Sequence, residues 1–180
     1  MLPWVLLALA LTALTLIAAR RTFLSFGAQS PADYADAGPI FDPRLHLSGP
    51  MVSEGVIFGP TGRIAGRFTA RMSGQWTKDG GVLDEVFEFA SGSTMRRAWT
   101  LRDLGGQRME ATAPDIVGKA EVERTGSAMQ MRYRLRLDAD AGGHVLTVTD
   151  WLYLGPDGAV LNRSEMRKFG VKVAELVATI

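Results

Sequence analysis

The 180 residues carry no cysteine, so disulfides, thiol catalysis and cysteine metal sites are excluded. Twenty Lys and Arg against nineteen Asp and Glu leave a formal charge of +1. With the basic residues spread along the chain and no recognisable nucleic-acid motif, a nucleic-acid partner is not expected.

Residues 1–21 read as an N-terminal transmembrane anchor. Met1 to Ala19 has no charged side chain, and about 20 apolar residues in a helix span a bilayer core. A secretory signal would carry a positive start and a shorter apolar run. A cleaved export signal with an atypical start is the alternative. Arg20 and Arg21 follow the run and Trp4 lies near its other end, which makes the segment a single-pass inner-membrane anchor with the following domain on the cytoplasmic side. Residues 22–47 form a linker with turn residues such as Ser30-Pro31 and Asp42-Pro43. Its aromatic residues Phe23, Phe26, Tyr34 and Phe41 suit a segment lying partly against the following domain or the membrane surface.

From residue 48 to 180 the chain alternates with period two between Gly-rich turns, the pattern of half-buried antiparallel strands. In the opening hairpin, the loop Pro60-Thr61-Gly62 pairs Phe58 with Ile64 and sets Glu54 opposite Phe68 on the inner face. Val56 and Phe58 then face inward with it. The central hairpin runs from Gly80 to Leu101. Its loop Ala90-Ser91-Gly92 places Phe87 opposite Met95, Leu83 opposite Trp99, and Glu85 opposite Arg97 on the apolar side.

A third hairpin about Gly126-Ser127 sets Val122 opposite Met131 and Glu121 opposite Arg132, with Tyr133 and Leu135 on the inner face. The run Arg132, Arg134, Arg136 is either a solvated outer face with cross-strand ion pairs or a surface attracted to anionic headgroups. The last hairpin turns at Gly155-Pro156-Asp157-Gly158, which sets Asp150 across from Arg163 and Trp151 across from Asn162. These four form a polar cluster with aromatic neighbours at a barrel rim; which face is inner stays open. Val171 to Ile180 fits a closing strand better than a helix. The expected fold is all-β, an antiparallel up-and-down lipocalin-like barrel of about 8–10 strands behind one transmembrane helix.

The spacings Leu83-x-Glu85-x-Phe87, Arg96-Arg97-x-Trp99, Asp115-Ile116-Val117-Gly118-x-Ala120, Asp150-Trp151-Leu152-Tyr153-Leu154 and Asn162-Arg163-Ser164 together resemble the bacterial domain-of-unknown-function family 3833. The resemblance covers about Ser30 to the C-terminus, and it implies a lipocalin-like barrel, often a lipoprotein or membrane-anchored protein, in a lipid setting. It names no reaction. It also implies a periplasmic barrel, against the cytoplasmic side suggested by Arg20 and Arg21, and the apolar helix here stands where relatives carry a lipoprotein cysteine.

The expected function is binding of an apolar small molecule, a fatty acyl chain or lipid-derived product. Candidate ligand-binding residues are Glu85, Arg97, Trp99, Phe87, Met95, Phe68, Phe58, Met131 and Tyr133, with Asp150, Trp151, Asn162 and Arg163 at the rim. Glu85 and Arg97 are either an interior ion pair fixing register or a headgroup site in which Arg97 holds a carboxylate. A lipid isomerase or hydrolase using Glu85 or Glu54 as base with Arg97 as stabiliser is an alternative, and a scaffold docking a membrane lipid-modifying enzyme is another. No catalytic residue is assigned. No cofactor is expected, and His46 and His144 stand apart from acidic residues at metal-ligand spacing.

Overall fold

In the computed structural model, which describes residues 2–180 (for 21 and 22 the backbone alone), the alternating stretches form ten strands. They are β1 Gly49–Phe58, β2 Ile64–Thr77, β3 Gly80–Phe89, β4 Thr94–Gly105, β5 Arg108–Thr112, β6 Ala120–Thr125, β7 Ala128–Arg136, β8 Val145–Leu154, β9 Val160–Lys168 and β10 Val171–Thr179. Each pairs antiparallel with its neighbour in sequence, and β10 returns to β1 to close a barrel. Closure satisfies every edge, so no strand is left to template pairing with another chain. The expectation of an all-β barrel holds at the upper end of its strand range, with Val171–Thr179 as the closing strand. Helix α1, Leu2–Phe23, precedes it and is long and apolar enough to cross a membrane, a test that a signal sequence also passes. Met1, the first residue of the expected span, lies outside the described residues.

Register follows the expected pairings in the central hairpin. Glu85 pairs Arg97, Leu83 pairs Trp99 and Phe87 pairs Met95. Phe89 N donates to Ser93 O at 2.9 Å, and Gly92 takes φ 87, a left-handed conformation that suits glycine. The third hairpin also keeps its expected pairs, Val122 with Met131 and Glu121 with Arg132.

Two hairpins depart from expectation by one residue. In β1–β2, Phe58 does pair Ile64, but Ile57 then pairs Gly66, leaving Ala65 as the extra residue of a β-bulge. One residue of slip exchanges the two faces of a strand. Gly55 therefore faces Phe68, while Glu54 pairs Thr69 and is exposed, so the expected second inward carboxylate is not inside. Val56 and Phe58 leave the interior with it, and Ser53 and Ile57 take their places. The cause is steric. A Cβ at position 55 would lie 2.5 Å from Phe68 Cζ, so the inward ring is accommodated only across a glycine.

In β8–β9 the loop is Gly155 to Ala159, closed by Gly155 N donating to Ala159 O at 2.7 Å. Leu154 pairs Val160, so Asp150 faces Ser164, Trp151 faces Arg163 and Leu152 faces Asn162. The expected pairs of Asp150 with Arg163 and of Trp151 with Asn162 are thereby corrected.

Residues 24–47 close one end of the barrel and clasp its wall. Helix α2, Pro43–His46, presents Leu47 into the core at 1 % exposure, and Trp76 Nε1 donates to the Leu47 carbonyl at 2.8 Å. Arg44 reaches from α2 to the carbonyls of Thr77 and Lys78 and to Asp103 at 2.6 Å. Phe41 N donates to Gly126 O at the β6–β7 turn. On the outer wall, Phe26 and Tyr34 cover Trp151, which is 0 % exposed. Gln29 Oε1 accepts from Tyr34 at 2.5 Å and Tyr153 at 2.6 Å. The opposite end, ringed by the β1–β2, β3–β4, β7–β8 and β9–β10 turns, is the mouth.

Candidate ligand cavity

Alternate side chains from β1, β2, β3, β4, β7, β8, β9 and β10 converge on an interior cavity of about 230 Å³. Its upper part toward the mouth is apolar: Ile57, Phe87, Phe89, Met95, Leu137, Met166 and Leu176 line it. Phe68 and Phe87 meet edge to face with centroids 5.3 Å apart, and Trp99 meets Tyr133 in the same way at 5.2 Å. Such pairs prefer this geometry because a ring edge is positive and a ring face negative. A second space of about 60 Å³ lies toward Leu47 and the closed end, lined by Leu83, Leu101, Met129 and Met131. Grooves on the outer wall, such as that beside Glu110, Lys119 and Glu121, are more open to solvent and lined by charged side chains.

Where the two spaces adjoin, the barrel is polar. Glu85, Asp150 and Asn162 line both. Arg97 enters from β4 and donates through Nε and Nη2 to Asp115 at 2.9 and 2.6 Å. Its Nη1 lies 3.9 Å from Glu85 Oε2, an ion-pair distance too long for a hydrogen bond. The guanidinium also sits 5.6 Å from the Trp99 ring. Across the interior, Asp150 Oδ1 accepts from Asn162 at 2.5 Å and Ser164 at 2.6 Å, and Tyr133 donates to its Oδ2 at 3.4 Å.

Burial governs the protonation of these acids. It raises Glu85 to about 7, with Arg97 opposing and the nearby Asp150 and Asp115 adding to the rise. Burial likewise raises Asp150, against the lowering effect of Ser164 and Asn162. Among the described residues, Glu85 Oε2 is one of the few buried side-chain atoms without a hydrogen-bond partner.

Of the candidates named from sequence, Glu85, Arg97, Trp99, Phe87, Met95, Phe68 and Tyr133 line the larger space together, and Met131 lines the smaller. Phe58 lies outside, for the reason given by the bulge at Ala65. Strand alternation divides the expected rim cluster, and the longer β8–β9 loop decides which residues stay together. Asp150 and Asn162 point into the interior at mid-depth. Trp151 and Arg163 point outward, where Arg163 stacks on Phe26 at 4.8 Å. Sequence reasoning gave no site role to Asp115, the principal partner of Arg97. It lies between β5 and β6 in a segment that turns back onto β7, where Arg136 N donates to Asp115 O and Val117 N to Arg134 O. No alternation marks this segment; its only signal is the compact Asp115-Ile116-Val117-Gly118 run after Pro114. No group of acidic or histidine residues suited to a metal ion occurs among the described residues.

Residues 21–180 match the family described as Protein of unknown function (DUF3833). No curated protein matches the chain.

Proposed function

The chain belongs to this family of unknown function, and from that premise we propose that it is a membrane-anchored binding barrel whose interior takes an apolar small molecule, a fatty acyl chain or a lipid-derived product. One observation carries the reading: an interior space of about 230 Å³ with an aromatic and methionine-rich wall and a single polar band at its base. Small-molecule sites are concave, mostly apolar and oriented by a few polar groups. At roughly 30 Å³ for a water in the liquid, the space matches about eight waters, enough for a medium-length chain or a compact ring system. Met95 and Met166 give the wall room to adapt.

The membrane part of the reading rests on α1, whose 22 residues extend about 33 Å at 1.5 Å per residue, the thickness of a hydrocarbon core. The segment that follows docks Phe26 on the wall formed by β7, β8 and β9. Arg134 and Arg136 stand exposed on that wall, with no carboxylate partner among the described residues. A wall of this kind suits anionic headgroups, while Arg132 is engaged by Glu121 at 3.4 Å. Titrating the full chain with a neutral apolar fluorophore such as N-phenyl-naphthylamine tests the pocket. Saturable emission at one probe per chain, suppressed by Leu137→Trp at the mouth, supports it. A non-saturating response identical in both proteins refutes it.

Catalysis is the second reading, favoured by one observation: a buried carboxyl held near neutrality, as a general acid–base requires. Of the two bases expected from the sequence Glu85 remains, since Glu54 is outside, while Arg97, the expected stabiliser, is engaged by Asp115. A folded Glu85→Gln protein that keeps binding but loses turnover of a bound lipid would favour this reading over binding alone.

A further inference from the structure

We propose that the barrel selects apolar molecules whose polar end donates a hydrogen bond, an alcohol or a primary amide rather than a carboxylate, and that Glu85 is the acceptor that reads that end. The inference rests on the binding reading above and specifies its ligand. Three features of the polar band lead to it.

The first is the state of Arg97. A guanidinium inside an apolar barrel is the natural receptor for a ligand carboxylate, but this one already donates twice to Asp115. The second is the balance of charge. Glu85 and Asp150 line the interior and Asp115 lies within electrostatic reach of Glu85, with Arg97 the cation among them and Tyr133 the remaining titratable group. A ligand carboxylate would bring a fourth acid to one guanidinium, and like charges in a desolvated site disfavour one another. The third is the distribution of donors. Asp150 has Asn162, Ser164 and Tyr133. Glu85, on a side chain only 10 % exposed, has Trp99 as its one side-chain donor, and its Oε2 has none. Buried acceptors in folded proteins find a donor in nearly every case. Glu85 lines both spaces at the foot of the apolar wall, where the end of a bound molecule would lie.

An alcohol or amide placed there gives the Glu85 carboxyl a further donor without adding charge, while its chain runs upward past Trp99, Phe87 and Met95. The raised proton affinity of Glu85 adds a pH signature. Protonated, its carboxyl becomes a donor and the band loses a negative charge, so discrimination against carboxylates relaxes as pH falls.

The test is calorimetric titration of the full chain in one fixed detergent with decanol, decanamide and decanoate. At about pH 8, decanol and decanamide are expected to bind at least about tenfold tighter than decanoate. Glu85→Gln, which removes the charge and supplies an N–H, should bring the three to within about threefold. The wild-type protein gives an arm independent of that variant's folding: between about pH 8 and pH 6, decanoate should gain on decanol as Glu85 takes up its proton. Decanoate binding as tightly as decanol at the higher pH, or a ratio unmoved by pH, overturns the selectivity while leaving the pocket intact. Failure of all three to bind overturns both.

Discussion

A carboxyl group surrounded by phenylalanine, methionine and tryptophan is inexpensive to bury only while it holds its proton. Glu85 titrates near 7 in the folded chain, against an ordinary value of 4.5. Below about 4.5 it is protonated whether the chain is folded or not, and its neutral form costs least there. Between 4.5 and about 7 only the folded chain keeps the proton, so stability falls as pH rises through that window, by on the order of 3 kcal/mol. Denaturant midpoints measured across it should decline, and Glu85→Gln should flatten the slope. A wild-type midpoint that climbs from 4.5 to 7 would show Glu85 to be stabilised as the anion. Asp115 is the other residue on which the band depends. Asp115→Asn leaves Arg97 facing a single distant carboxylate, and with Asp115 26 % exposed the loss should be about 3 kcal/mol, the low end for breaking a buried pair. A change within experimental error would mean that Arg97 does not depend on this partner.

At the scale of strands and loops, the sequence was most legible where a loop of standard length joins two alternating runs. The central hairpin shows it: a three-residue loop ending on Gly92 fixes which side chains meet, and Glu85 faces Arg97 as the alternation requires. It failed where one additional residue was absorbed without a change of pattern. Ala65 is small and lies among other small residues, so nothing in its own chemistry marks a bulge. The informative residue was Gly55 on the partner strand, since an isolated glycine within a strand signals a close approach. In the β8–β9 turn, Pro156-Asp157-Gly158 reads as a complete turn, and Ala159 gives no sign that it belongs to the loop. That single residue exchanged the partners, so that Asn162 joins Asp150 inside and Arg163 joins Trp151 outside.

Close approach also yields a prediction about the closed end. A Cβ at Gly74 would lie 1.7 Å from the Leu47 carbonyl that receives Trp76, whereas at Gly66 it would meet nothing within 4 Å. Gly74→Ala should therefore lower stability by about 3 kcal/mol or more and shift the emission of Trp76. Gly66→Ala, in the same strand, should be close to neutral. Equal effects of the two would mean that residue 47 does not plug the barrel.

For the whole molecule, two sequence signals combine: an apolar helix, and a run of paired strands with no edge to spare. The second fixed the architecture, because sequential hairpins of this number close on themselves. The way residues 24–47 clasp the barrel was only partly legible. Their aromatic content indicated contact, but only the folded chain shows Phe41 and Leu47 entering the core and Phe26 lying over Trp151. With one end sealed in this way, access to the interior is through the mouth lined by Leu137, Met95 and Phe89. If α1 is a retained anchor, the flanking arginines predict that a reporter fused after Ile180 is active in the cytoplasm, and a reporter active only outside it would contradict that orientation.

The central claim is that the interior holds a small apolar molecule, and mass spectrometry of the full chain extracted in mild detergent tests it most directly. The account predicts a defined apolar compound bound near one per wild-type chain, and its loss from a folded Leu137→Trp protein whose added ring fills the mouth. No such compound on the wild-type chain, or the same amount on both proteins, would contradict it.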